Sequence, residues 1–306
     1  MVHPAIKLPT KVPLLQRLWK ARWFNLLMAP GLIYFFVCKY ITMAFQEYSP
    51  SLGFLKSPWV GLKHFQQFFN YGSFEKLFGN TLILSLESLI FSFPAPVMLA
   101  LFLHEIRHNT YKRVTQTLMY LPHFLSAVVI CSIAYQLFSM EDGVLNQMLT
   151  AIGLQPVNIL MNKAAYRPLF VGLGVWQGTG WGTIIYLAAL SGVDPALHEA
   201  AQVDGASRLR RVWHIDLPVL LPTASIMLIM NAGTIMSVGF EKVYLMQNDM
   251  NIDRAEVIST FVYKVGLTRG DFSFSTAAGL FPSLVSFILL VIVNKICKTV
   301  TETSLW

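Results

Sequence analysis

Six long apolar stretches divide the chain: Phe24–Phe45, Thr81–Leu103, Thr115–Phe138, Pro168–Leu190, Leu217–Phe240 and Phe274–Asn294. A helix crosses the hydrocarbon core of a bilayer with roughly 20 mainly apolar residues, and each stretch reaches that length. Only two Asp, Glu, Lys or Arg side chains fall inside them, Lys39 and Glu87. The pattern predicts an all-α membrane protein with six transmembrane helices in one integral domain, residues 24–298. A basic segment, 1–23, precedes it and a short tail, 299–306, follows. Leu14, Leu15, Leu18, Trp19 and Trp23 alternate with Arg17, Lys20 and Arg22, which suits a helix lying in the membrane interface. The first apolar stretch is too long for the core of a cleaved signal and no small-residue cleavage site follows it, so it reads as a retained helix.

The polar intervals set the orientation. With the N-terminus inside, thirteen Lys and Arg fall on inner segments and nine on outer ones. The inner segments are shorter in total, so the positive-inside rule places both termini in the cytoplasm. Loops 46–80, 139–167 and 241–273 are then outer, the first rich in aromatics, and 104–114 is a short, basic inner loop. Composition agrees: 55% of the 306 residues are hydrophobic and 13% charged, where a soluble domain carries about 25% charge. The net charge of +7 belongs to the inner face and suits anionic lipid, with no need of a nucleic-acid partner. Cys38, Cys131 and Cys297 are too scattered for a disulfide framework or a metal motif.

One polar interval is different in kind. Residues 194–218 form a compact charged island between two spans. Asp194-Pro195 is a helix start, with Asp as N-cap and Pro at the first helical position. Gly205 is a natural stop, and a second helix runs from about Ala206 into Leu217-Pro218. Two short helices hinged at a glycine make a rigid knob. Ala200 and Ala201 admit close approach by a partner, while Glu199 and Asp204 offer charge.

The spacing of Glu199-Ala200-Ala201, Asp204-Gly205-Ala206, Trp213, Ile215 and Leu217-Pro218 resembles the EAA loop of ABC importer permeases. Val212 departs from the pattern, where an aromatic is common. The resemblance extends from about Leu26 to Trp306 and is nearest to carbohydrate permeases of the oligosaccharide and polysaccharide branch, through Gly239–Asn248 and Ser304-Leu305-Trp306. It implies a type I importer core in a bacterial cytoplasmic membrane. It also implies a second permease subunit, two ATP-binding subunits that hold the ATP and Mg, an extracellular solute-binding protein, and ATPase coupling through the knob. This chain itself has no phosphate-binding Gly-Lys-Ser/Thr loop and no catalytic constellation, so it is not an enzyme and holds no cofactor.

Candidate pathway residues follow from polar groups inside the spans. Gly174, Gly178 and Gly182 recur every four residues as a stripe for close helix contact, and Gln177 and Trp181 share a face beside Trp176. Asn231, Thr234 and Ser237 recur every three. Counting along straight helices puts Gln177 and Asn231 roughly 13 Å below the outer boundary. The resemblance to maltose-type permeases implies sugar contacts at Trp176, Gln177, Gly178 and Trp181; Asn231 rests on depth alone. Lys39 and Glu87, each about 9 Å deep, are placed to pair across neighbouring helices; otherwise Lys39 snorkels outward and Glu87 faces a partner permease. His123 carries no expected role. An anionic solute, such as a glycerol phosphate or amino-acid derivative, would call for a buried cation, and Lys39 is the one that the spans supply. A self-sufficient secondary carrier is the remaining alternative, but no internal repeat supports it.

Overall fold

The computed structural model describes residues 22–34, 41–106 and 108–306. Lys39, Cys38 and nearly all of the predicted interfacial segment 1–23 lie outside them. Among the described residues the fold is all-helical, with one isolated bridge between Gln46 and Trp59.

The chain enters through α1 (Arg22–Ile33), α2 (Ile41–Phe45), α3 (Gly53–Lys56) and α4 (Lys63–Phe69). Helices α5 (Phe74–Ser92) and α6 (Pro94–Glu105) run on as one apolar span of 32 residues. Next come α7 (Asn109–Tyr120), a 3-10 turn at Leu121–Phe124, α8 (Ala127–Phe138) and α9 (Val144–Ala151). The long helix α10 (Tyr166–Leu190) leads to α11 (Pro195–Val203) and α12 (Arg208–Arg211), then to a π-helical turn at Val212–Asp216 and α13 (Leu217–Gly233). The chain closes with α14 (Phe240–Met246), α15 (Ile252–Ala255), α16 (Ile258–Tyr263) and the 29-residue α17 (Phe272–Val300).

Two predicted straight spans are broken. The stretch Thr115–Phe138 bends by 102° between Phe124 and Ala127. Pro122 sits in the turn, and Ser126 restarts the helix as an N-cap, accepting a hydrogen bond from the Val129 amide at 3.3 Å. The stretch Leu217–Phe240 stops being α-helical at Gly233, and helix resumes only at Phe240 after a turn and the non-helical Gly239. Depth counted along a straight fifth helix therefore fails beyond Gly233. Among the described residues three helical segments are long and apolar enough to span, Phe74–Glu105, Arg208–Gly233 and Phe272–Val300, and the bent pair Asn109–Phe124 and Ala127–Phe138 makes a fourth if it crosses as one. Helix α10 has 25 residues, a length of about 37 Å, with its hydropathy diluted by glycines and Gln177.

Three apolar clusters hold these elements. Leu84, Ile130, Phe170, Val243 and Met246 tie α5, α8, α10 and α14 together. Phe68, Phe261 and Phe274 centre an aromatic cluster with Phe74, Phe78 and Phe281, in which edge-to-face pairs recur. Ala100, Tyr186, Leu190 and Leu220 join α6, α10 and α13 beneath the knob. The glycine stripe packs differently from expectation. A Cβ on Gly182 would meet Pro96 at 2.9 Å, but Gly178 faces open space and Gly174 only approaches the Lys242 ammonium. The tightest approach is at Gly180, outside the stripe, where a Cβ would lie 1.9 Å from the Met119 carbonyl oxygen.

Candidate coupling loop and transport cleft

The knob is built as its residues dictate. The Asp194 carboxylate accepts a hydrogen bond from the Ala196 amide at 2.9 Å, and Pro195 opens α11. Gly205 has φ +72°, the left-handed geometry that only glycine adopts cheaply. It lets the Ala206 amide donate to the Ala201 carbonyl at 2.8 Å and close the helix. Ser207 then caps α12, accepting from the Arg210 amide. Glu199, Ala200, Asp204, Gly205 and Pro218 are exposed, and Ala201, Ala206 and Leu217 half-buried. The apolar side chains of the knob point outward too: Val203 is 88% exposed, Leu209 81% and Trp213 68%. A soluble loop without a partner does not present such a patch.

One tie at the base of the knob was not legible in the sequence. Asp216, in the π-helical turn, is fully buried, and its Oδ1 lies 3.1 Å from Nε2 of His198 on α11. The His104 ring, at the end of α6, lies 6.1 Å from that of His198. The three come from segments about 100, and then 18, residues apart, so no local pattern signals them.

Where α13 breaks, a polar cleft of about 290 Å³ opens between α5, α10 and the Thr234–Gly239 turn. Ser85, Ser88 and Ser92 line it from one face of α5, and Asn231, Thr234 and Ser237 from the broken end of α13. The Ser85 hydroxyl is buried without a hydrogen-bond partner. Irregular backbone at membrane depth is tolerated where it borders such a cavity.

Lys242 lines the same cleft. It belongs to the interval 241–273, which the sequence reads as an outer loop, and α14 sets it against the cleft face of α5 and α10. Its Nζ donates to Gln177 Oε1 at 3.1 Å and sits 5.5 Å from the centre of the Phe170 ring. Among the described residues it has no carboxylate partner. Lys242 is thus a second cation to consider beside Lys39. Gln177 is engaged at both ends, since its Nε2 donates to the Leu125 carbonyl at 3.0 Å.

The other sequence candidates lie apart. Trp181 stacks on His123 at 4.6 Å and meets Phe124 edge-on, while its remaining surface and that of Trp176 are exposed. Gly178 faces open space. Of the five pathway candidates only Asn231 lines the polar cleft, and Gln177 reaches it through Lys242. Glu87 faces a separate, mainly apolar hollow with Phe91, Pro168 and Val175 and makes no ion pair among the described residues.

Residues 92–299 match the family model described as binding-protein-dependent transport system inner membrane component. The chain belongs to this family. The permease is 44% identical over 290 residues to protein LplB of Bacillus subtilis (strain 168), covering 93% of this chain and 91% of LplB. It is 42% identical over 298 residues to the polygalacturonan/rhamnogalacturonan transport system permease protein YteP of the same organism, with 96% and 93% covered. Among solved structures it matches a chain of a bacterial alginate ABC transporter in complex with an alginate pentasaccharide-bound periplasmic protein, at 34% identity and a TM-score of 0.81, covering 95% and 99% of the two chains. A second structure, of a bacterial ABC transporter involved in the import of the acidic polysaccharide alginate, matches at the same identity and TM-score over 94% and 99%. The permease therefore has the type I ABC importer fold.

Proposed function

We propose that this permease imports acidic oligosaccharides, as one half of a membrane pore completed by a second permease. Two ATP-binding subunits drive it by alternating access, and an extracellular solute-binding protein delivers the cargo. On this reading six helices span the membrane, both termini are cytoplasmic, and the knob at 194–218 docks into the ATPase.

The observation that carries the substrate class is Lys242 in the polar cleft. A half-buried ammonium with no carboxylate partner among the described residues is destabilised unless something pairs with it, and a sugar carboxylate would do so through a charge-assisted hydrogen bond. The hydroxyls of Ser85, Ser88 and Thr234 suit sugar hydroxyls, and Phe170 offers an apolar face. The acidic polysaccharides in the descriptions of YteP and of the alginate transporter support the same class. The cleft lies on one chain of a pair, so the site is completed by the partner.

The test is ATPase stimulation of the reconstituted complex with its binding protein, offered galacturonate oligomers, neutral oligomers of equal length, and glycerol phosphate. Galacturonate oligomers should stimulate most. Lys242→Met should weaken their apparent affinity by roughly 10- to 100-fold, the worth of a hydrogen bond to a charged group, and spare neutral sugars. Stimulation by neutral oligomers or by glycerol phosphate alone would overturn the assignment. Transport without the ATP-binding subunits would overturn the importer reading as a whole.

A further inference from the structure

The cluster beneath the knob has the makings of a site that neither coupling nor the cleft uses. His104 ends α6, His198 lies on α11, and Asp216 lies in the π-helical turn before α13. One donor atom from each falls within 4.8 Å of the others. The Asp216 carboxylate is fully buried, yet neither of its oxygens accepts a hydrogen bond, and His198 Nε2 is likewise unpartnered. The 3.1 Å approach of Nε2 to Oδ1 is an ion-pair distance, but the two atoms are not aligned as donor and acceptor. Two donor atoms that lie close without pointing at one another are what a shared third atom requires. Such buried orphan groups are rare, and a bound ion is among the standard explanations.

We propose that His104, His198 and Asp216 bind a divalent transition metal of the Zn²⁺ class. Two imidazoles and one carboxylate are a common zinc donor set, which leaves a fourth position for water. In tetrahedral geometry, ligand atoms about 2.0–2.1 Å from the metal are roughly 3.3 Å apart. The His198–Asp216 spacing already fits, and rotation of His104 about its side-chain bonds closes the rest. The His198 side chain is partly exposed, 19% where Asp216 is 1%, although its Nε2 atom is itself buried. The ligands come from three elements, so a bound ion ties the knob helix α11 to the inner ends of α6 and α13. Occupancy would fix the knob's position relative to the bundle, whatever solute the cleft carries.

Zinc bound by the complete purified transporter, stripped with chelator and then titrated with Zn²⁺ alone, tests this by equilibrium dialysis. The wild-type complex should retain one more Zn²⁺ per copy of this chain than His104→Gln or His198→Gln. Losing a ligand should weaken the site by at least the 10- to 100-fold typical of a lost outer-shell partner. His104→Gln is the decisive variant, because His104 makes no hydrogen bond among the described residues, whereas Asp216→Asn risks the fold. Equal zinc affinity and stoichiometry in wild type and an assembled His104→Gln complex would overturn the proposal. So would a wild-type complex that retains no zinc, whether or not any variant assembles.

Discussion

The ammonium of Lys242 donates to the side-chain oxygen of Gln177 at 3.1 Å, and the other end of that amide is bound to the Leu125 carbonyl at the bend between α7 and α8. Gln177 therefore holds a cation in the cleft and registers it against the broken third stretch. Gln177→Leu keeps the charge and removes its tether. We expect a loss of apparent affinity for an acidic solute that is smaller than the roughly 10- to 100-fold of Lys242→Met, with stimulation of ATPase activity as the readout. Equal losses in the two variants would mean that Gln177 acts on the solute directly.

Gly180 and Gly178 are two residues apart on α10 but differ sharply in surroundings. Gly180→Ala places a methyl group 1.9 Å from the Met119 carbonyl oxygen, and backbone cannot yield as a side-chain tip can. Overpacking of this kind costs about 1–3 kcal/mol or more. At Gly178 a methyl meets nothing within 4 Å among the described residues, and Ala is the better helix former by about 1 kcal/mol. Thermal unfolding of the two purified variants should separate them: Gly180→Ala lowers the midpoint and Gly178→Ala does not. A lowered midpoint for both would place the partner permease against Gly178.

Local chemistry was readable in the sequence and long-range convergence was not. Asp194, Pro195 and Gly205 each act on their own or adjacent backbone, so the knob's start, first turn and stop could be placed to the residue. The apolar stretches located the long helices, because a bilayer demands length and hydropathy. The same demand hides breaks. Apolar residues continue through Gly233, and the bend beyond Pro122 stays apolar, so neither interruption alters the pattern. A straight helix to Phe240 would carry Lys242 away from the bundle; the break at Gly233 leaves it lining the cleft. His104 and Asp216 carry no local signal at all. The regular glycine stripe was a misleading signal, since the close approach at Gly180 depends on where α7 ends.

The hinge of the knob rests on backbone geometry. Gly205→Ala forces a Cβ into the left-handed region at φ +72°, which costs about 1–2 kcal/mol, and Asp194→Ala removes an N-cap worth about 0.5–2 kcal/mol. Both act within the loop, so the membrane bundle should keep its thermal midpoint while the loop becomes more susceptible to protease. We expect ATPase stimulation by solute to fall in both variants. A fall in the midpoint without a change in cleavage would show that the loop is not where the loss occurs.

Trp213 presents most of its indole to solvent, 68% exposed, alongside Val203 and Leu209 on the same projection. Removing an exposed side chain changes folding stability by no more than about 0.5 kcal/mol, so Trp213→Ala should leave the isolated permease pair as stable as the wild type. If the knob docks into the ATP-binding subunits as proposed, the same indole becomes a buried anchor, and anchors of this type cost about 2 kcal/mol or more when truncated. That corresponds to a loss of at least about 30-fold in affinity for the ATP-binding subunits, since each 1.4 kcal/mol is a factor of ten. Titration of the ATP-binding subunits onto the permease pair in nanodiscs measures it directly. Unchanged affinity, with Val203→Ser and Leu209→Ser equally silent, would remove the knob's apolar patch from the coupling interface and leave its charged residues to carry the contact.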